Sequence, residues 1–178
     1  MKTIFVVSDT HFGHLGVCKF LREDKTKLRP WDNPDEMDEF MIKSWNEKVS
    51  PTDKVYHLGD VAFKPKAMNV LHRLNGDKVL IKGNHDTLEL KEYLKYFRDV
   101  RGCHILDKMI LSHIPIHEES MGRFAGNIHG HLHERSVMRT VNGKRVIDSR
   151  YLCVSVEHLP DYAPIAWEDA LIMMGKHR

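Results

Sequence analysis

Residues 78–86 read KVLIKGNHD. Val79, Leu80 and Ile81 are the apolar run of a buried strand. The run stops at Gly83-Asn84-His85-Asp86, four poor strand formers. A core strand that ends in a glycine, an amide, an imidazole and a carboxylate is either entering a plain loop or presenting ligands. The same ending recurs along the chain. TIFVVS (3–8) runs into Asp9-Thr10-His11, and KVYHL (54–58) into Gly59-Asp60. KMILS (108–112) runs into His113, and GNI (126–128) into His129-Gly130-His131-Leu132-His133. In open α/β sheets, ligands bind outside the carboxyl ends of the strands. If these strands are neighbours, the five endings meet at one site.

The segments between the endings support that layout. Asn33 is placed to cap a helix, with Pro34 at its first position and Glu36 at capping-box spacing. Met37, Phe40, Met41 and Trp45 then share one helical face. A second helix is expected over 65–75, with Ala67, Val70, Leu71 and Leu74 as its apolar stripe and Gly76 as its stop. Thr87 is expected to cap a third, reaching about Tyr96 and burying Leu90, Leu94 and Phe97. After Gly102 the pattern turns to strands, CHIL and KMILSH flanking Asp107. Asn142-Gly143 marks a hairpin between SVMRTV and KRVID. YLCVSVE reads as a further strand, and PIAWEDALIMM as a short terminal helix. Early alternation of strands and helices, followed by consecutive strands, predicts an α/β fold: a layered sandwich of mixed β-sheets flanked by helices, as one domain over 1–178.

Composition excludes several classes. The chain has 178 residues, 42% hydrophobic and 29% charged, which suits one folded domain. Its 27 basic and 25 acidic residues leave a formal charge of +2, with no push toward nucleic acid or membrane. Cys18, Cys103 and Cys153 form no CxxC and read as free thiols of a reducing compartment. No stretch has transmembrane length, and the N-terminus lacks the pattern of a signal peptide. The expected location is cytoplasmic.

Two aspartates, one asparagine and four histidines at the endings are enough to hold two divalent ions. Carboxylate, amide and imidazole without thiolate suit borderline metals such as manganese, iron or zinc. Asp60, alone after its strand, is the candidate bridge. Two ions that share and activate a water, and clamp both oxygens of an in-line displacement, suit hydrolysis of a phosphate ester.

The ordered set DTH, GD, GNHD, His113 and GHLH resembles the five motifs of calcineurin-like metallophosphoesterases, over residues 9–133. The resemblance implies a sandwich of two mixed β-sheets flanked by helices. It implies that Asp9, His11 and His133 hold one metal and Asn84, His113 and His131 the other, with Asp60 between them. Manganese is the expected ion, with iron, zinc or nickel as alternatives. His85 would face the phosphoryl group as general acid, and Asp86 would orient His85. The sequence has GDVAFKP and GNHD where protein serine/threonine phosphatases of the family carry GDxxDRG and GNHE, so a protein phosphatase is not expected. It is similar to the small single-domain bacterial and phage phosphoesterases.

Other residues carry less. His117 also follows the KMILS strand, but His113 lies directly at its end. His57 reads as packed in its strand, and His129 as supporting the site or facing substrate. His72, His104, His158 and His177 carry no assigned role. His14, Arg22 in the basic stretch 19–29, and Arg123 are candidate substrate contacts. The expected partner is a phosphorylated small molecule or nucleotide, with a phosphodiester favoured over a monoester on the strength of that basic stretch. Nucleic acid is compatible with the chemistry but is not called for by the charge, and the oligomeric state is left open. A non-catalytic scaffold of the same fold is the main rival, yet such proteins lack some of the positions that are filled here. A metallo-β-lactamase-type site would need HxHxDH, which HGHLH does not supply.

Overall fold

The computed structural model describes residues 2–176, so His177 lies outside the described residues. Strand β1 (Ile4–Val7) leads through a long loop to helix α1 (Pro34–Lys48), then strand β2 (Lys54–His57). A 3₁₀ helix (Pro65–Arg73) precedes β3 (Asp77–Ile81), the short α2 (Leu90–Tyr93) and β4 (Asp99–Arg101). Strands β5 (Cys103–Leu106) and β6 (Met109–Ser112) follow, then α3 (Glu118–Met121) and β7 (Gly126–His129). The chain continues through β8 (Met138–Val141), β9 (Lys144–Ile147), β10 (Tyr151–Cys153), β11 (Ile165–Ala166) and α4 (Trp167–Met173).

These strands form two mixed sheets, ordered β11-β1-β2-β3-β4 and β10-β7-β6-β5, with β8 and β9 as a separate ribbon. In the first sheet β1, β2, β3 and β4 run parallel, and only β11 is antiparallel. The register sets Val7 opposite His57 and His57 opposite Leu80. The carboxyl ends of three strands are therefore level. In the second sheet β6 and β7 are parallel, as are β7 and β10. The sheets are joined at their ends by Ser8, whose N–H donates to Val154 O at 2.8 Å and whose carbonyl accepts from Val156 N at 3.1 Å.

One core runs between the sheets and under α1 and α4, from Val6 and Val7 through Leu80 and Ile81 to Leu111, Ile128 and Val154. Helix α1 forms as its signals dictate. Asn33 Oδ1 accepts from Glu36 N at 2.9 Å, and Met37, Met41 and Trp45 are buried. Phe40 departs from the expected face: it is exposed and packs on Trp31, with ring centroids 5.1 Å apart.

The second expected helix is 3₁₀ throughout. The third shrinks to the single turn of α2, capped at Glu89 rather than Thr87. Leu90 and Leu94 are exposed and only Phe97 is buried, because the chain must extend again at once to give β4 its place beside β3. Strand β4 and helix α3 are too short to carry a periodic signal. YLCVSVE splits into β10 and a 3₁₀ turn (Val156–His158), and its tail is not strand. Ile165 and Ala166, expected to begin the last helix, instead pair with β1. Asn142 (φ 50°) and Gly143 (φ 75°) form the expected hairpin turn. Among the described residues no helix is long and apolar enough to cross a membrane.

Candidate metal centre

The five endings converge. Ligand atoms of Asp9, His11 and His133 lie within 4.8 Å of one another, and so do those of Asp9, Asp60 and His113. Asp60 Oδ2 lies 3.6 Å from His11 Nε2 and 3.4 Å from His113 Nε2. Asn84 Oδ1 is 2.9 Å from both His113 Nε2 and His131 Nδ1. All seven residues expected to hold metal therefore belong to one cluster. His113 is in it, and His117 is not: its ring caps α3, accepting from Glu119 N.

The backbone turns hard to present these groups. Asp9, His11, Asp60, His131 and His133 all have φ between 49° and 71°, the left-handed region that non-glycine residues avoid. Such strain persists where surrounding structure enforces it, and it concentrates at functional sites. Here two glycines allow the turns to close. A Cβ on Gly83 would meet Asp60 N at 2.6 Å, and one on Gly130 would overlap Ser8 Oγ and Asp9 Oδ2.

Hydrogen bonds then aim the carboxylates. Asp9 Oδ2 accepts from His131 N and Ser155 Oγ, both at 2.8 Å, which leaves Oδ1 toward the cluster. Asp60 Oδ1 accepts from His85 N at 2.8 Å, which leaves Oδ2 between the two imidazoles. Asp9 Oδ1 and both ring nitrogens of His11 are buried with no hydrogen-bond partner. Buried polar atoms of this kind need an explanation. A cation would supply one, and the donor set of carboxylate, imidazole and amide oxygen fits a divalent ion.

Electrostatics agree with tight coupling. Burial would raise the Asp60 carboxyl, but the hydrogen bond and charge of His113 hold it down at about 2. His113 is pushed up despite its burial, chiefly by Asp60 and Asp9. Its Nδ1 lies 2.7 Å from Leu58 O, so Nδ1 carries the proton and Nε2 faces the cluster. His11 is held well below the ordinary histidine range by burial and by Arg29.

A family model for the calcineurin-like phosphoesterase superfamily domain matches residues 1–149. The chain belongs to that superfamily. Uncharacterized protein MJ1445 of Methanocaldococcus jannaschii is 34% identical over 176 residues, 93% of this chain and 88% of that protein. Gene 66 protein of Mycobacterium phage D29 is 35% identical over 91 residues, 48% of this chain and 41% of the phage protein. Among solved structures, the Aquifex aeolicus protein of unknown function AQ665 superposes with a TM-score of 0.63 at 26% identity, over 95% of this chain and 97% of that one. The superfamily sandwich of mixed sheets is thus the fold of this chain, and the Asp/His groups that could hold metal lie at its strand ends.

Around this centre several expected contacts are replaced. Asp86 does not turn toward His85. Its Oδ2 accepts from Asp60 N and Gly83 N, and its Oδ1 from Val61 N, so it ties the GD turn to the GNHD turn. The Arg22 guanidinium is spent on Lys27 O and Leu28 O within its own loop, a small hairpin that turns at Lys25. Arg123 is exposed against the Phe124 ring, 5.6 Å away. His129 is wholly buried with Nδ1 on Gly130 O at 2.7 Å, so of its two expected roles the supporting one fits the burial and the substrate-facing one does not. His57 is packed as expected, 2.9 Å from Thr10 Oγ1.

His14 is placed beside the cluster, its ring 5.4 Å from that of His11 and stacked on exposed Phe63 at 3.8 Å and 7°. Burial holds it at about 4. Exposed Phe20 stands edge-on to the same ring at 6.0 Å.

Sequence reasoning took Arg29 only as a member of the basic stretch 19–29 and gave Glu157 no role. Arg29 has no exposed surface, and its Nη2 is 2.7 Å from Glu157 Oε1. Nothing local separates Arg29 from Lys25 and Lys27. Glu157 did carry a signal: like the five motifs, it follows an apolar run, YLCVSV.

Proposed function

We propose that this protein hydrolyses a phosphate ester at a dinuclear centre, with a phosphodiester favoured and manganese as the working ion. The observation that carries the reading is the position of Asp60 Oδ2 between His11 Nε2 and His113 Nε2, one imidazole from each ligand set. Asp9, His11 and His133 would hold one ion, Asn84, His113 and His131 the other, and Asp60 would bridge. When bound, such a pair supplies an activated water and neutralises charge on the phosphoryl oxygens.

The chain's own groups do the rest. His85 is exposed at the rim, with its ring 5.6 Å from that of His11. Its backbone N–H is anchored on Asp60, which supports the reading that the imidazole hands a proton to the leaving oxygen. His14, Phe63 and Phe20 form an aromatic wall beside His11. That wall supports a substrate with a flat ring next to the phosphate, as in a nucleotide. Three free cysteines fit a reducing, cytoplasmic setting.

The test is to purify the protein with manganese, measure its metal content, and assay aryl phosphate mono- and diesters, cyclic nucleotides and short oligonucleotides. Turnover of diesters at two ions per chain is expected. A metal-loaded protein that hydrolyses none of them would refute the reading.

A further inference from the structure

Behind the cluster lies a buried ion pair that touches no exposed surface. Arg29 and Glu157 stand 128 residues apart, and both side chains are wholly enclosed. Arg29 uses its guanidinium as a fork in three directions. Nη2 donates to Asp9 O at 2.6 Å, Nη1 to Thr10 O at 2.8 Å, and Nε to Glu157 Oε1 at 2.8 Å. Asp9 and His11 have positive φ, so the carbonyls of this turn point where no strand neighbour could meet them. Arg29 supplies the missing donors. Glu157 Oε1, in turn, lies 3.1 Å from His133 Nδ1.

We propose that Arg29 and Glu157 are positioning residues for the first ion: Arg29 locks the Asp9–Thr10–His11 turn, and Glu157 fixes the His133 ring with its proton on Nδ1. Nε2 of His133 is then the nitrogen left free for the cluster. An outer carboxylate that takes the ring N–H of a ligand histidine sets its tautomer and orientation, and its loss costs metal affinity. Glu157 lies beyond residue 149, the end of the family match, so the 3₁₀ turn after β10 completes a site whose ligands lie within it. Ser155 from the same segment steers Asp9 Oδ2. The inference rests on reading Asp9, His11 and His133 as ligands, but it does not rest on the reaction.

The experiment is titration of Mn²⁺ into the metal-free protein by calorimetry, with ¹H–¹⁵N correlation of the His133 ring. Wild type should show the Nδ1–H tautomer before any metal is added. Glu157→Ala should lower affinity at the Asp9–His11–His133 site about 10–100-fold and mix the tautomers. Glu157→Gln, which keeps an acceptor at the same reach but loses the same charge, should recover most of both. Arg29→Lys keeps the charge but not the fork, and should also weaken the same site. Wild-type affinity in folded Glu157→Ala, or equal losses in Ala and Gln, would overturn the Glu157 assignment, and unchanged affinity in Arg29→Lys would overturn that of Arg29. Should Glu157→Ala fail to fold, a neutral His133 ring protonated on Nε2 instead of Nδ1 in the metal-free wild type is sufficient to refute the proposal. None of these readouts needs turnover, so a protein that binds metal and hydrolyses nothing would refute the proposed function and leave this inference standing.

Discussion

The two halves of the cluster are built differently. On one side Asp9 and His11 are buried, and Asp9 Oδ1 and both His11 ring nitrogens have no partner. Arg29 and Glu157 back them from inside the protein. On the other side Asn84 is exposed, and its side-chain oxygen already has His113 and His131 as partners at 2.9 Å. A cation entering the first half meets donors with nothing else to bind. A cation entering the second would come between Asn84 Oδ1 and imidazole nitrogens that already lie close to it. If both halves hold ions, the contrast predicts two sites of unequal strength within one list of ligands, with the Asp9–His11–His133 site the tighter.

The largest test is of the residue common to both halves. Asp60→Asn should lose both ions together, and activity should fall by more than the ~10²–10³-fold that follows loss of one electrostatic stabiliser. Metal analysis alongside the assay checks this, and full activity in the variant would remove the bridging role. Next in size, His85→Ala should keep both ions while kcat falls ~10²–10⁴-fold. A wild-type rate would show that the rim histidine moves no proton. Asn84→Ala should separate the halves, weakening only the second manganese by about tenfold or more. Calorimetry showing equal loss at both sites would erase the contrast.

A smaller effect tests the packing behind the first half. Asp38 accepts from Gly13 N, just past the DTH turn, and burial pushes its carboxyl up to about 6. Folded Asp38 therefore holds its proton where the unfolded chain has lost it. Stability should fall as pH rises from about 4 to about 6, and Asp38→Asn should flatten that slope in thermal melts of the metal-free protein. The smallest effect is expected in the basic loop. Lys25→Gln with Lys27→Gln should leave KM for a phosphodiester within about twofold, as for ordinary surface charges. A clear rise in KM would return that loop to the substrate.

Where the fold was readable, the reason is local chemistry. Residues 78–86 announced a strand and its functional ending because the apolar run and the four groups after it are contiguous. Helix α1 announced itself through a cap, a proline and a stripe. Leu90 and Leu94 misled because their helical spacing is real, but the helix stops after one turn so that β4 can pair with β3. Arg22 and Arg29 looked alike as members of one basic stretch. One closes its own loop, and the other, enclosed by residues brought from far along the chain, holds a ligand turn.

The sequence by itself determined which atoms are available to bind metal and, through five strand endings, that they would gather. Only the tertiary structure decided that Asp86 clamps two turns instead of His85, that His129 faces inward while His131 faces the cluster, and that Glu157 reaches His133. Those choices depend on which groups the folded chain brings within reach: some are near in sequence, as with Asp86 and the GD turn, and others, as with Asp9 and His131 or Arg29 and Glu157, lie more than a hundred residues apart.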